Sequence, residues 1–402
     1  MPHAGQIVNM GILVLAMGLS SLLRPPAWNA VLADDSSAAA TAQARASALV
    51  KQLGSSRYQD RQQAVRKLCE LGRPAIPALK SGMLGTDLEI RIRCRRILDH
   101  LDRIDHQRIL AAFARDATQP PGNRLAGWDR YREKIGATAQ AQELLVEMHR
   151  KEGRLFRAWS SDALDFPAVF ERRCMEIQQA YRQGSGAQRT VDIGSVATLL
   201  FLGSDPQVVI PDNAASVLNN LMYYNNLKKE LTEGQRKAEL RLLLAGWIER
   251  PLPKENYRRL LLAMRYDLQQ GVVPATKLLN QGAVGLQMQY AILALGKLGN
   301  RTHLPLLHKQ FQNTSVLSRS ASNGKVVYSC QVRDVALVAA IYLTGQDTSK
   351  FGFSRLRKNS TYLYSPNSAG FKNQIERDAA FARYRAWERA NGGESKSSKT
   401  DS

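Results

Sequence analysis

Apolar residues recur at helical spacing along most of the chain, and the first clear run is RQQAVRKLCELG at 61–72. Ala64, Val65, Leu68 and Leu71 share one stripe, and Gly72 ends the run as a left-handed helix C-cap would. Arg73-Pro74-Ala75-Ile76-Pro77 then turns the chain into a second helix near 77–83. Gly85-Thr86-Asp87 starts a third, with Asp87 as N-cap. In that third helix, LEIRIRCRRILDHL at 88–101, the buried stripe is Ile90, Cys94, Ile97, Leu98 and Leu101. Its arginines therefore lie off the stripe. Glu89 with Arg93, and Arg95 with Asp99, stand at the four-residue spacing that lets opposite charges pair. That leaves Arg96, Arg103 and part of Arg93 for a partner.

Beyond this start, residues 105–182 read as helical stretches with buried aromatics (Trp128, Tyr131, Phe156, Trp159, Phe166 and Phe170), interrupted at Pro120-Pro121-Gly122. After a Gly- and Ser-rich break at 183–188, the region 190–272 predicts helices at 191–202, 214–231 and 232–248. The region 273–355 is helical again, with an insertion at 314–331, TSVLSRSASNGKVVYSCQ. Asn323-Gly324 suits a two-residue hairpin turn, and Val326, Val327 and Tyr328 are strand formers, so this insertion is a small β-hairpin near 316–329 or an irregular loop. The segment 356–391 ends in a helix whose Phe381, Tyr384 and Trp387 share a side, a suitable cap for an array. Residues 392–402 read as a disordered tail.

Internal self-similarity organises these elements. Arg61-x-x-Ala64-x-x-x-Leu68, Arg91-x-x-Cys94-x-x-x-Leu98 and Arg333-x-x-Ala336-x-x-x-Ala340 share one frame. MQYAILALGKLG at 288–299 matches 61–72, with Ala291, Leu295, Leu298 and Gly299 in the places of Ala64, Leu68, Leu71 and Gly72, and Pro305 following as Pro77 does. Such units are helical hairpins that bury apolar faces by stacking. With Asp87-x-x-Ile90-Arg91-x-x-Cys94 and Val332-Arg333-Asp334-x-Ala336, the stretches 47–104 and 274–345 resemble HEAT repeats, the paired-helix modules of α-solenoids. The resemblance implies an all-α solenoid with divergent central repeats, Arg91 as a structural arginine and Cys94 in the small-residue slot. It extends to exported bacterial HEAT-repeat proteins of undefined role and implies no catalytic residues.

The N-terminus adds a compartment. An apolar run at 12–23, a break at Arg24-Pro25-Pro26 and small residues Val31 and Ala33 before Asp34 read as an export signal over 1–33, although residues 1–11 carry no Lys or Arg. The run is too short for the roughly 20 residues of a membrane span. Export to the periplasm, cell envelope or exterior follows, and the Ala-, Ser- and Thr-rich residues 34–46 read as a linker. In an oxidising compartment the four cysteines allow three pairings, with Cys69 and Cys94 the first pair to test for a disulfide; buried thiols are the alternative.

Charge then shapes the choice of partner. With 56 Lys and Arg against 35 Asp and Glu the chain carries a formal +21. This favours an acidic protein, a cell-wall polymer or anionic lipid over neutral partners, and nucleic acid only if the chain is not exported. The candidate contacts are Arg93, Arg96, Arg103, Arg172, Arg173, Lys228, Lys229, Arg258, Arg259, Arg355, Arg357 and Lys358. Tyr257 beside Arg258, and Tyr362 and Tyr364 after Lys358, place aromatics near some of them. No nucleophile-elbow, phosphate-loop, dinucleotide or zincin motif is present. Asp99, Asp102 and His106 could share a helical face as metal ligands, but Arg95 and Arg103 beside them make salt bridges the simpler account. No metal, cofactor or catalytic residue is expected. The reading is a non-enzymatic binding or scaffold protein, with a hydrolase or lyase of scattered acid and base residues as the alternative and a cytoplasmic nucleic-acid binder as the third.

Overall fold

The computed structural model describes residues 28–118, 124–161, 163–186, 189–252, 257–322 and 326–391. The chain divides into two compact units, 1–107 and 108–402, and the described residues are mostly helical. Most of the expected export signal lies outside the described residues, as does the tail.

The first unit holds α1 (Trp28–Gln52), α2 (Tyr58–Leu71), α3 (Ile76–Met83) and the start of α4 (Leu88–Arg115). Residues 34–46 are therefore helix rather than linker, because an alanine-rich segment has high helix propensity and the same helix carries Ala46, Leu49 and Val50 into the core. The expected boundary at 104/105 falls inside α4. Helix α1 packs on both α2 and α3, and Leu53, Ala64, Leu68, Leu79 and Cys94 are fully buried. Asp87 caps α4 as predicted, its Oδ1 accepting from the N–H groups of Glu89 at 2.8 Å and Ile90 at 3.2 Å. The two arginines that open the repeated frame do one job. Arg61 donates to the Ser55 carbonyl at 2.7 Å and Arg91 to the Gly85 carbonyl at 3.3 Å, each fastening the chain six residues earlier. All four cysteines are free thiols, so Cys69 and Cys94 are not bridged; Cys94 packs in the core against the backbone of Gly82.

The second unit holds α5 (Trp128–Ile135), α6 (Ala139–Ser160), α7 (Phe166–Gln183), α8 (Ile193–Gly203), α9 (Asp212–Leu221), α10 (Asn225–Glu233), α11 (Lys237–Glu249), α12 (Tyr257–Arg265), α13 (Val272–Asn280), α14 (Gly285–Leu298), α15 (Leu304–His308), α16 (Val332–Leu343) and α17 (Gln374–Asn391). Many helices pack on the second helix after them: α6 on α8, α7 on α9, α12 on α14 and α14 on α16, with α13 also against α14. The expected aromatics Trp128, Tyr131, Phe156, Phe166 and Phe170 are buried and Trp159 is half-buried. One expectation fails here. The predicted helix over 214–231 is two helices, α9 and α10, broken at Met222–Tyr224. No glycine or proline marks the break. The Met222 carbonyl instead accepts from the Tyr266 hydroxyl at 2.9 Å, and the Tyr224 ring stacks on Tyr181 at 3.5 Å.

The insertion is a hairpin of β1 (Val316–Ser322) and β2 (Val326–Gln331), antiparallel, with Ser322 opposite Val326; Asn323-Gly324 lies outside the described residues. A second small ladder joins β3 (Lys358–Asn359) to β4 (Leu363–Tyr364). Ser329 in β2 exchanges both backbone hydrogen bonds with Phe371, at 3.0 and 3.2 Å. From α17, Arg377 reaches the buried carboxylate of Asp334 at 2.8 Å and the Ser329 carbonyl at 2.9 Å. One guanidinium thus ties the hairpin, the start of α16 and the last helix together. Burial pushes the Asp334 carboxyl up, against the pull of Arg377 and the Gln331 N–H. Phe381 and Tyr384 of α17 are buried as expected.

The two matched glycines work differently. Gly72 has φ +65°, a backbone open chiefly to glycine. Gly299 is extended, but a Cβ there would lie 2.4 Å from the Leu295 carbonyl oxygen. Gly299→Ala is expected to lower stability by about 1–3 kcal/mol through overpacking, read as a lower denaturant midpoint at unchanged slope.

Candidate functional site: a tyrosine and arginine surface

Part of the positive charge is committed inside the protein. Helix C-termini leave carbonyls without intrahelical donors, and cationic side chains can supply them. At the end of α8, Arg130 donates to the Phe201 carbonyl and to Ser204 Oγ, both at 2.9 Å, and Arg250 donates to the carbonyls of Gly203 and Val208. Burial lowers the pKa of both guanidiniums, opposed by the nearby Asp205 carboxylate. At the end of α11, Arg259 donates to the carbonyls of Trp247 at 3.0 Å and Ile248 at 3.1 Å. Arg241 and Lys297 reach the Tyr266 and Met264 carbonyls at the end of α12, and Arg301 reaches the Thr344 carbonyl after α16.

The expected partner contacts separate accordingly. Arg259 is fully buried, and Arg173 holds the buried Glu152 carboxylate through contacts of 2.7 to 3.0 Å. Both are structural. Arg93 is half-buried and paired with Glu89 at 2.7 Å, and Arg103 lies against its own helix, on the Asp99 carbonyl and His100. Arg95 and Asp99, expected to pair, do not. Arg355 sits 3.4 Å above the Tyr328 ring of the hairpin. Arg96, Arg172, Lys228, Lys229, Arg357 and Lys358 are exposed.

Arg258 is exposed too, donating to Asn220 Oδ1 at 3.1 Å, and it stands beside a group of tyrosines and a second arginine. Tyr257 stacks on Tyr290 with centroids 5.2 Å apart, and Tyr290 meets Tyr362 edge-on at 5.7 Å. These rings come from α12, α14 and the turn before β4. Tyr223, from the break between α9 and α10, lies under the Arg265 guanidinium at 4.9 Å. Burial, then Tyr362 and Tyr266 against the opposing pull of Arg265 and Arg258, leaves the Tyr223 phenol pushed up to about 12. Burial also raises Tyr290. These two phenols therefore stay neutral donors at physiological pH. Beside this group, on the other side of the same break, Tyr224 stacks on Tyr181, over which Arg189 sits at 4.9 Å. The six rings Tyr257, Tyr290, Tyr362, Tyr223, Tyr224 and Tyr181 are all half-buried. The adjacency of Tyr257 to Arg258 and the position of Tyr362 hinted at this cluster; Tyr223, Tyr290 and Arg265 had no local signal.

Two clefts also open in this unit. One, of about 640 Å³, is lined by Trp159, Phe166, Pro167, Val208 and Val209, and its Asp205 already accepts from Trp159 Nε1 at 3.0 Å and the Gln207 N–H at 3.1 Å. The other, of about 510 Å³, is lined by Glu143, Glu147, Arg150, Lys151 and Arg236; Glu147 is paired with Arg236, and Lys151 with Asp192 at 2.7 Å. Among the described residues no group of three His, Cys, Asp or Glu side chains is placed to hold a metal ion, so Asp99, Asp102 and His106 do not converge. No helix among them is long and apolar enough to cross a membrane. Comparison with protein-family models, curated proteins and solved structures finds no match.

The neighbouring arginines 258 and 259 give a direct test of this division of charge. Arg259→Met, which strips the donor from buried carbonyls at the end of α11, is expected to cost about 3 kcal/mol. Arg258→Met is expected to cost less than about 1 kcal/mol. Chemical denaturation of the two variants side by side checks both.

Proposed function

We propose that the chain is a binding or scaffold protein built from HEAT-like stacked hairpins, and that its tyrosine and arginine surface receives an acidic macromolecule. The observation that carries this reading is the cluster of Tyr257, Tyr290, Tyr362 and Tyr223 with Arg258 and Arg265, gathered from four separate parts of the second unit. Rigid, half-buried tyrosines lose little entropy on contact, and tyrosine and arginine are the residues enriched where binding energy concentrates. Neutral phenols and guanidiniums side by side offer donors and no strong acceptors, which suits carboxylate- or sulfate-bearing partners. The stacked-hairpin reading is supported by helices packing on their second neighbours and by Arg61 and Arg91 making the same six-residue tie. Export, which rests on residues 1–33, would place the partner in the cell envelope or outside the cell and would favour a cell-wall polymer or acidic protein over nucleic acid.

The test uses defined polyanions, polyglutamate and a sulfated polysaccharide, titrated into the full chain over a salt series. Binding is expected to weaken as salt screens it, and Arg258→Glu with Arg265→Glu is expected to reduce affinity at least about tenfold at low salt. Circular dichroism checks that the double variant is folded. Absence of binding to either polymer, or binding indifferent to the double variant, overturns the reading.

A further inference from the structure

The arginine-rich helix α4 is not absorbed by that surface, and its outer face carries a second pattern. Leu84, in the corner between α3 and α4, is 90% exposed, and on α4 Leu88 is 61% and Ile92 40% exposed. Leu88 and Ile92 are four residues apart, one turn, with Arg95 and Arg96 continuing along the same side. This apolar face is separate from the stripe of Cys94, Ile97 and Leu101 that packs inward. Of the acidic groups nearest in sequence, Asp87 accepts backbone N–H groups at the start of α4 and Glu89 pairs with Arg93, while Asp99 is exposed one turn beyond Arg95 and Arg96 and pairs with neither. Lys80, Arg95 and Arg96 are exposed and form no ion pair among the described residues. Arg91 fixes the corner through its hydrogen bond to the Gly85 carbonyl, so Leu84 projects from a held turn.

We infer that this corner docks on the surface of an anionic lipid bilayer, with Leu84, Leu88 and Ile92 entering the interface and Lys80, Arg95 and Arg96 meeting lipid phosphates. Three protruding aliphatic side chains beside unpaired cations match the chemistry of a surface that is acidic outside and apolar just beneath. An acidic protein partner would need a cavity shaped to a leucine standing clear of the surface; a fluid interface needs none. The inference is independent of the tyrosine and arginine surface.

Flotation of the full chain with vesicles tests it, using phosphatidylcholine alone and phosphatidylcholine mixed with phosphatidylglycerol. The unaltered chain is expected to float with the anionic vesicles and not with the neutral ones. Leu84→Ser with Leu88→Ser and Ile92→Ser, and separately Arg95→Glu with Arg96→Glu, should each weaken that binding at least about tenfold. These positions are exposed, and unchanged thermal melts verify folding. Failure of the unaltered chain to float overturns the inference. So does flotation indifferent to both sets, which would place lipid binding in the apolar run at 12–23. Loss on charge reversal with no effect of the serine set also overturns it, since that marks a purely electrostatic contact such as an acidic protein makes. As a direct readout, Leu84→Trp should add fluorescence that brominated lipid quenches; no added quenching counts against the inference.

Discussion

Stacked helices place their C-terminal carbonyls where neighbouring helices crowd out water, and those carbonyls need donors. At four helix ends of the second unit the donors are cations. Arg130 and Arg250 serve α8, Arg259 serves α11, Arg241 and Lys297 serve α12, and Arg301 serves α16. The macrodipole favours positive charge at these ends, and a charged donor makes a stronger hydrogen bond than a neutral one. Some of these caps also join one helix to the end of another: Arg259 of α12 closes α11, and Lys297 of α14 closes α12. The formal charge of +21 is therefore partly a packing device.

Part of the charge that remains at the surface of the second unit stands, with Arg258 and Arg265, beside a break in a helix. Residues 214–231 would run as one helix on pattern alone. The Tyr266 hydroxyl on the Met222 carbonyl and the stack of Tyr224 on Tyr181 stop it. The break then sends Tyr223 and Tyr224 to two sides, one toward Arg265 and one toward Arg189. A local departure from helical geometry thereby creates the aromatic part of the surface. Lys297 contributes from beneath, holding the Ser360 and Thr361 carbonyls, each at 3.1 Å, next to Tyr362.

Much of this architecture is legible in the residues. The Asp87 cap, the stripe of α4, the hairpin at the insertion and the aromatic side of α17 all follow from spacing and turn chemistry. The repeated arginine frame predicts equivalent roles, and Arg61 and Arg91 have them. The third member does not: Arg333 bonds the side chains of Gln331 at 2.6 Å and Gln374 at 3.0 Å, while the buried charge is its neighbour Asp334, paired with Arg377. The linker reading of 34–46 fails because small polar residues among alanines resemble a linker in composition yet extend a helix readily when its far end is packed.

The sequence by itself determined most of the helical segments, many of their ends and the apolar face that each must bury, because these depend on spacing within a few residues. It also determined the excess of positive charge. Only the tertiary structure decided what each charge does. Arg258 and Arg259 are adjacent and chemically identical, but one faces solvent and the other closes α11, since successive helical residues point about 100° apart. The same holds for the tyrosines, whose grouping depends on contacts between residues such as 223 and 265 that no local pattern records.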